Sequence, residues 1–213
     1  MDGLLLDTET IALAAFHDTC EHFGVEDETK LFERCIGTYA ARSEQTLREG
    51  LGGEFDHLSF ACMWDAKYIQ RTLNAPIPLK DGAAELLACL AELEIPVAVA
   101  TSTESRRAMR KLEAVGILTH FKAIVGGDQV RNSKPHPDIY LRAAQILGVR
   151  PTKCLALEDS ENGVRSAADA VTVIQIPDIV QPSTALRSLG HTILQSLHDV
   201  RTYEFQETEP PQL

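Results

Sequence analysis

Two periodicities divide the chain. Over residues 9–75 apolar side chains recur at helical spacing. Ile11, Leu13, Ala14, Ala15 and Phe16 form one stripe that ends at Gly24. Leu31, Phe32, Cys35 and Ile36 form a second before Gly37, and Phe60, Met63, Trp64, Tyr68 and Ile69 a third after the glycines at 50–53. No β-branched alternation occurs in this stretch. Asn74-Ala75-Pro76-Ile77-Pro78 closes it, because two prolines two apart cannot continue a helix. Beyond this point helical patterns alternate with short apolar runs. Helices are predicted over 81–92, 104–116, 135–148 and 161–169, and strands over 95–101, 123–125, 154–157 and 171–176. The helix at 135–148 carries Pro in its first turn and Gly at its end, as helix termini favour.

Strands interleaved with helices of that length imply parallel pairing in a doubly wound α/β sheet. The predicted organisation is therefore an α/β core, residues 1–9 and 77–213, interrupted by an all-helical insertion over 10–76. A tail from about Thr202, with Glu-Thr-Glu-Pro-Pro-Gln, reads as disordered. Chemistry in such a fold is expected beyond the carboxyl ends of the strands.

Composition narrows the function classes. A chain of 213 residues with 44% hydrophobic and 24% charged residues can bury a sizeable core. A net charge of −11 argues against a broad phosphate-neutralising surface for nucleic acid, so an anionic substrate must be met by local cations. Five scattered cysteines with no Cys-x-x-Cys suit buried, reduced thiols. No basic leader is evident, and no apolar run approaches the ~20 residues of a bilayer span. The expectation is a cytoplasmic protein, a monomer, bound neither to nucleic acid nor to membrane.

Three clusters after the predicted strands carry candidate chemistry. Thr101 ends the strand Ala98-Val99-Ala100, and Ser102-Thr103 open the next helix, where hydroxyls and unpaired amides make an anion site. Simple capping of that helix is the alternative. Lys134 lies in Ser133-Lys134-Pro135-His136-Pro137-Asp138, where two prolines hold the backbone and direct the ammonium. Glu158 and Asp159 close the strand Leu155-Ala156-Leu157. Adjacent carboxylates repel unless a cation lies between them, and hard oxygens beside phosphate suit Mg²⁺. The competing account is an acidic first turn on a helix capped by Ser160. Arg42 and Lys67 in the insertion read as a solvated helix face, and His17 and His22, five apart, do not share a face as metal ligands would.

In this order, and with Asp2-Gly3-Leu4-Leu5-Leu6-Asp7-Thr8-Glu9 at the start, these elements resemble the four motifs of the haloacid dehalogenase superfamily. The likeness is strongest to its β-phosphoglucomutase-like phosphatases and covers nearly the whole chain. The resemblance implies a Rossmann-like core with a helical cap and a phosphatase acting on a small sugar phosphate-like metabolite with Mg²⁺, through an aspartyl-phosphate. It makes Asp2 the general acid/base, Thr101, Ser102 and Lys134 the phosphate-binding residues, and Asp2 (by its backbone carbonyl), Glu158 and Asp159 the metal ligands. It casts Asp7 and Glu9 as shaping the linker into the cap. The aligned nucleophile and its strand would fall ahead of Met1, so the core's first strand is expected to be missing and this chain to be impaired. A phosphosugar mutase, which needs a second phosphate-binding group in the cap, and a non-catalytic or truncated member are the alternatives. The run Ala168-Asp169-Ala170-Val171 lacks the glycine that relatives carry there, leaving the end of that helix open to question.

Overall fold

The computed structural model describes residues 1–26, 29–36, 40–74 and 76–204. The stripes of the first third fold as α1 (Thr8–Phe23), α2 (Thr29–Cys35), α3 (Ala40–Leu51) and α4 (His57–Asn74). Their apolar faces meet in a core of their own around Phe16, Phe32 and Phe60, each at most 1% exposed. The rings pack tilted or edge-on, with Phe16 5.6 Å from Phe32, 5.5 Å from Phe60 and 5.1 Å from Trp64 between centroids. Burial of each phenylalanine contributes roughly 1.5–3 kcal/mol, and each aromatic pair about 0.5–1.5 kcal/mol beyond that.

The remainder alternates as its pattern predicts: α5 (Ala83–Glu92), β1 (Ala98–Ala100), α6 (Ser105–Ala114), β2 (Ala123–Val125), α7 (Asp138–Leu147), β3 (Leu155–Glu158), α8 (Glu161–Ala168), β4 (Thr172–Gln175), α9 (Thr184–Arg187), β5 (Thr192–Ile193) and α10 (Leu197–Glu204). Every strand pair is parallel. Side chains alternate between the two faces, as strand geometry requires. Val173 enters a core with Tyr140 and Ala143 of α7 and Val164 of α8, whereas its neighbour Ile174 enters one with Leu86 of α5 and Leu197 of α10. Helices thus cover both faces, and the fold is the expected α/β type.

Several details differ from the pattern. The ladder is divided into β1-β2 and β3-β4-β5. Between these parts the turn at Met1–Asp7 lies against residues 78–80: Asp7 N–H donates to Pro78, and Lys80 N–H donates to Leu5, at 2.9 Å each. Leu5 and Leu79 pack on the cores of both parts, so this turn is the seam. The run 95–101 forms a strand only at Ala98–Ala100, because that is where β2 supplies partners. β5 is too short to show a period and was not predicted.

α7 starts at Asp138 rather than at Pro135, with Pro137 at its cap. α8 ends on Asp169 in right-handed conformation, and Ala170 and Val171 both donate to the Ala167 carbonyl. The turn closes by right-handed bonds, which is why no glycine is needed. Residues Thr202–Glu204, placed in the tail by composition, belong to α10, and the rest of the tail lies outside the described residues. Among the described residues no helix is long and apolar enough to cross a membrane.

Candidate active site

The carboxyl ends of β1 and β3 face each other, and Lys134 joins them. Its ammonium donates to the Ala100 carbonyl at 3.3 Å and to Glu158 Oε1. The Tyr140 hydroxyl, on α7, donates to the same Glu158 oxygen. Both members of the ion pair are buried, the Lys134 side chain 9% and the Glu158 side chain 5% exposed. Burial is the strongest influence and opposes the Glu158 charge, but Lys134, the N-terminal amine and the hydrogen bonds from Lys134 and Tyr140 together hold the carboxyl below its ordinary range. Tyr140, buried beside that carboxylate, is held neutral as a donor, its pKa raised well above ordinary. The second Glu158 oxygen accepts from the Ser160 hydroxyl at 3.4 Å. Ser160 also caps α8, accepting from Gly163 N–H at 3.2 Å.

Asp2 is reached from elements far along the chain. Lys111 of α6 donates to its Oδ1 at 2.6 Å, and the Thr103 hydroxyl to its Oδ2 at 2.9 Å. Burial is the strongest influence and disfavours the Asp2 charge, yet Lys111, the N-terminal amine and the hydrogen bonds from Lys111 and Thr103 together set the carboxyl below its ordinary value. Lys111 also reaches across to α4, donating to the Tyr68 hydroxyl at 3.3 Å with its ammonium 5.7 Å from that ring.

A second carboxylate group lies alongside. Burial, then the adjacent Glu158, pushes Asp159 up to about 7. Burial, then Asp159, Asp2 and Asp178, pushes Glu9 up to about 8. Gly3, with φ of 71°, allows this crowding. A Cβ there would stand 2.5 Å from Asp159 Oδ2 in a backbone region that side chains rarely adopt. Behind it, Lys80 pairs with Asp178 at 2.5 Å, leaving Asp178 Oδ2 buried and without a hydrogen-bond partner.

Asp2, Thr101, Ser102, Lys134, Glu158 and Asp159 all line one cleft of about 390 Å³ between the α/β elements and helices α1 and α4. Among the described residues no group of three or more His, Cys, Asp and Glu side chains is arranged to hold a metal. The loop after β1 is built differently from the expectation. α6 opens at Ser105, not at Ser102, and Asp128 occupies its N-terminus by accepting from Ser105 N–H at 2.7 Å and from the Ser105 hydroxyl at 2.8 Å. Thr101, 5% exposed, accepts from Thr103 N–H at 3.2 Å. The reason is distance along the chain: only folding brings Asp128 to satisfy that helix end.

Lys111, Thr103 as an Asp2 partner, and Glu9 as a cleft residue were missed in the sequence. For Lys111 a signal existed, since it lies three residues after buried Ala108 and four before Val115, on a helical face that meets the core. The Arg42 side chain lies outside the described residues. Lys67 is engaged within the helical insertion, donating to the Asp18 carbonyl at 2.6 Å.

Comparison with known proteins gives the family. The family model described as haloacid dehalogenase-like hydrolase matches residues 1–175. A phosphorylated carbohydrates phosphatase of Thermotoga maritima is 32% identical over 170 residues, 80% of this chain and 78% of that protein. A beta-phosphoglucomutase of Bacillus subtilis is 28% identical over 222 residues, 99% of this chain and 97% of that protein. The crystal structure of CbbY from Rhodobacter sphaeroides, in complex with phosphate, superposes with a TM-score of 0.71 at 28% identity, covering 94% of this chain and 93% of that one. With the family model, these relatives and the fold in agreement, this chain belongs to the haloacid dehalogenase-like hydrolases, alongside β-phosphoglucomutase-like phosphatases.

Proposed function

We propose that the cleft hydrolyses the phosphomonoester of a small sugar phosphate-like metabolite, with Mg²⁺ and through an aspartyl-phosphate, in a cytoplasmic monomer. One observation carries the reading: a buried lysine, hydroxyls following a strand and a charged aspartate converge with further carboxyls, Glu158 and Asp159 among them, on one cleft. Phosphoryl transfer needs that combination of fixed cation, donors and proton carrier. In this reading residues 1–9 and 77–213 form the catalytic core and 10–76 the cap.

Lys134, Thr101 and Ser102 bind the phosphoryl oxygens. Asp2, bonded here to Lys111 and Thr103, would exchange Lys111 for substrate, give a proton to the leaving alkoxide, and then as carboxylate take one from the water that cleaves the aspartyl-phosphate. The nucleophile of this route is the motif's first Asp, two positions before Asp2 and outside the 213 residues.

The carboxyl set fits a divalent cation. Its donors are hard oxygens, and two of them, Glu9 and Asp159, are driven toward protonation by burial and then by neighbouring carboxylates, a repulsion that a cation relieves. Asp159, the Glu158 oxygen on the Ser160 side and the Asp2 carbonyl would hold Mg²⁺, which supplies positive charge to the transferring group.

The test is phosphate release from a panel of phosphomonoesters, with Mg²⁺ or excess chelator. It uses the chain as given and a version with an apolar strand and Asp joined ahead of Met1. The extended version is expected to turn over with Mg²⁺ alone. Full turnover in chelator removes the metal assignment, and no release from any ester removes the reading.

A further inference from the structure

We propose that Trp64 and Asp65, adjacent on α4, are specificity-determining residues that select the monophosphate of a neutral, hydroxyl-rich molecule over esters bearing a second anionic group. The proposal rests on the phosphatase reading above and assigns its substrate class.

The cleft has two chemically different sides. Its two lining lysines, Lys111 and Lys134, come from the α/β elements, and the α4 side presents Ala61, Trp64, Asp65 and Tyr68. Trp64 is held rigidly there. Its indole N–H donates to the Ala12 carbonyl at 2.9 Å, and its ring packs edge-on to Phe16 at 5.1 Å and to Phe32 at 5.8 Å. With the N–H engaged and the ring wedged, Trp64 offers the cleft an apolar surface, which suits the C–H face of a sugar ring. Asp65 is exposed at the same wall, with no hydrogen bond or ion pair to any described residue. A carboxylate accepts hydrogen bonds and donates none, so it pairs with substrate hydroxyls and repels a second phosphate or carboxylate. A volume of about 390 Å³ admits a ligand of that size.

Trp64 is the only tryptophan of the chain, so its fluorescence reports on this wall without any need for turnover. The full chain with Mg²⁺ is titrated with a hexose monophosphate, a hexose bisphosphate, inorganic phosphate and the unphosphorylated hexose, with calorimetry alongside. The monophosphate is expected to bind at least about tenfold tighter than the bisphosphate. Asp65→Asn is expected to cost the monophosphate about tenfold, the worth of a charge-assisted hydrogen bond. Asp65→Lys should bring the bisphosphate level or ahead. Because Asp65 is exposed, both variants should melt like the parent.

A parent that holds the bisphosphate as tightly as the monophosphate, or an Asp65→Lys variant with an unchanged preference, overturns the inference and leaves the phosphate site standing. If no ester and no inorganic phosphate binds, and Lys134→Ala behaves like the parent, the phosphate site itself fails and the inference falls with it.

Discussion

The Lys134 ammonium is bonded to the Glu158 carboxylate across the gap between the carboxyl ends of β1 and β3, and both side chains are buried. This pair stands where the two parts of the sheet approach without sharing a ladder. It links them by side chains and points a cation into the cleft. Removing either partner leaves the other charged group buried.

Lys134→Ala should therefore destabilise the fold by roughly 3–5 kcal/mol, as expected when one half of a buried ion pair is lost. Phosphate affinity should fall with it. Urea denaturation together with calorimetric phosphate binding checks both. A variant with parental stability would mean that Glu158 finds another counter-charge.

Gly163→Ala tests the packing on the other side of Glu158. In an exposed helix this change stabilises by about 1 kcal/mol. Here the new Cβ would run into the Glu158 carboxylate, which Lys134 and Tyr140 prevent from moving aside. A loss of about 1–3 kcal/mol is expected, as for other overpacked sites. A thermal melt decides it, and a rise in Tm would show that Glu158 relaxes freely.

Lys111 and Asp2 should be energetically coupled. Their side chains are 20% and 22% exposed, so water screens the pair only in part. A double-mutant cycle with Lys111→Met and Asp2→Asn should give a coupling of about 0.5–3 kcal/mol. Additive losses would place the contact outside the energetics of the folded state.

Stability should fall as pH rises from about 5 to 8. Glu9, ordinarily at 4.5 and here about 8, and Asp159, ordinarily at 3.8 and here about 7, keep protons in the fold that the unfolded chain has released. The native state then binds more protons across that window, so each step up in pH favours unfolding. Asp2 and Glu158, both lowered, act in the opposite sense. Their stabilisation is present above the ordinary values of 3.8 and 4.5 and is lost as pH falls below them. A stability maximum near about pH 5 follows. Chemical denaturation across this range measures it, and Glu9→Gln should flatten the alkaline limb. Mg²⁺ should flatten it too, by binding the deprotonated form.

The order of elements, the parallel α/β class, the strand ends bearing Thr101 and Glu158-Asp159 and the proline-flanked loop bearing Lys134 were legible because each depends on a local period or a short motif. Apolar spacing states which face of a helix or strand is buried, and a residue that follows a buried strand in this fold lies at its carboxyl end.

Which side chains meet was decided by tertiary structure alone. Lys111 lies 109 residues from Asp2, and Tyr140 18 residues from Glu158, and nothing local links them. The same holds for Asp128 on the N-terminus of α6, and for Trp64 and Asp65 at a cleft wall where their spacing alone suggested an ordinary helix face. The charges of the site were equally unreadable from residue type. A carboxyl's affinity for its proton depends on burial and on the charges beside it, so Asp2 and Asp159, identical in the sequence, are driven in opposite directions by the neighbours that folding supplies.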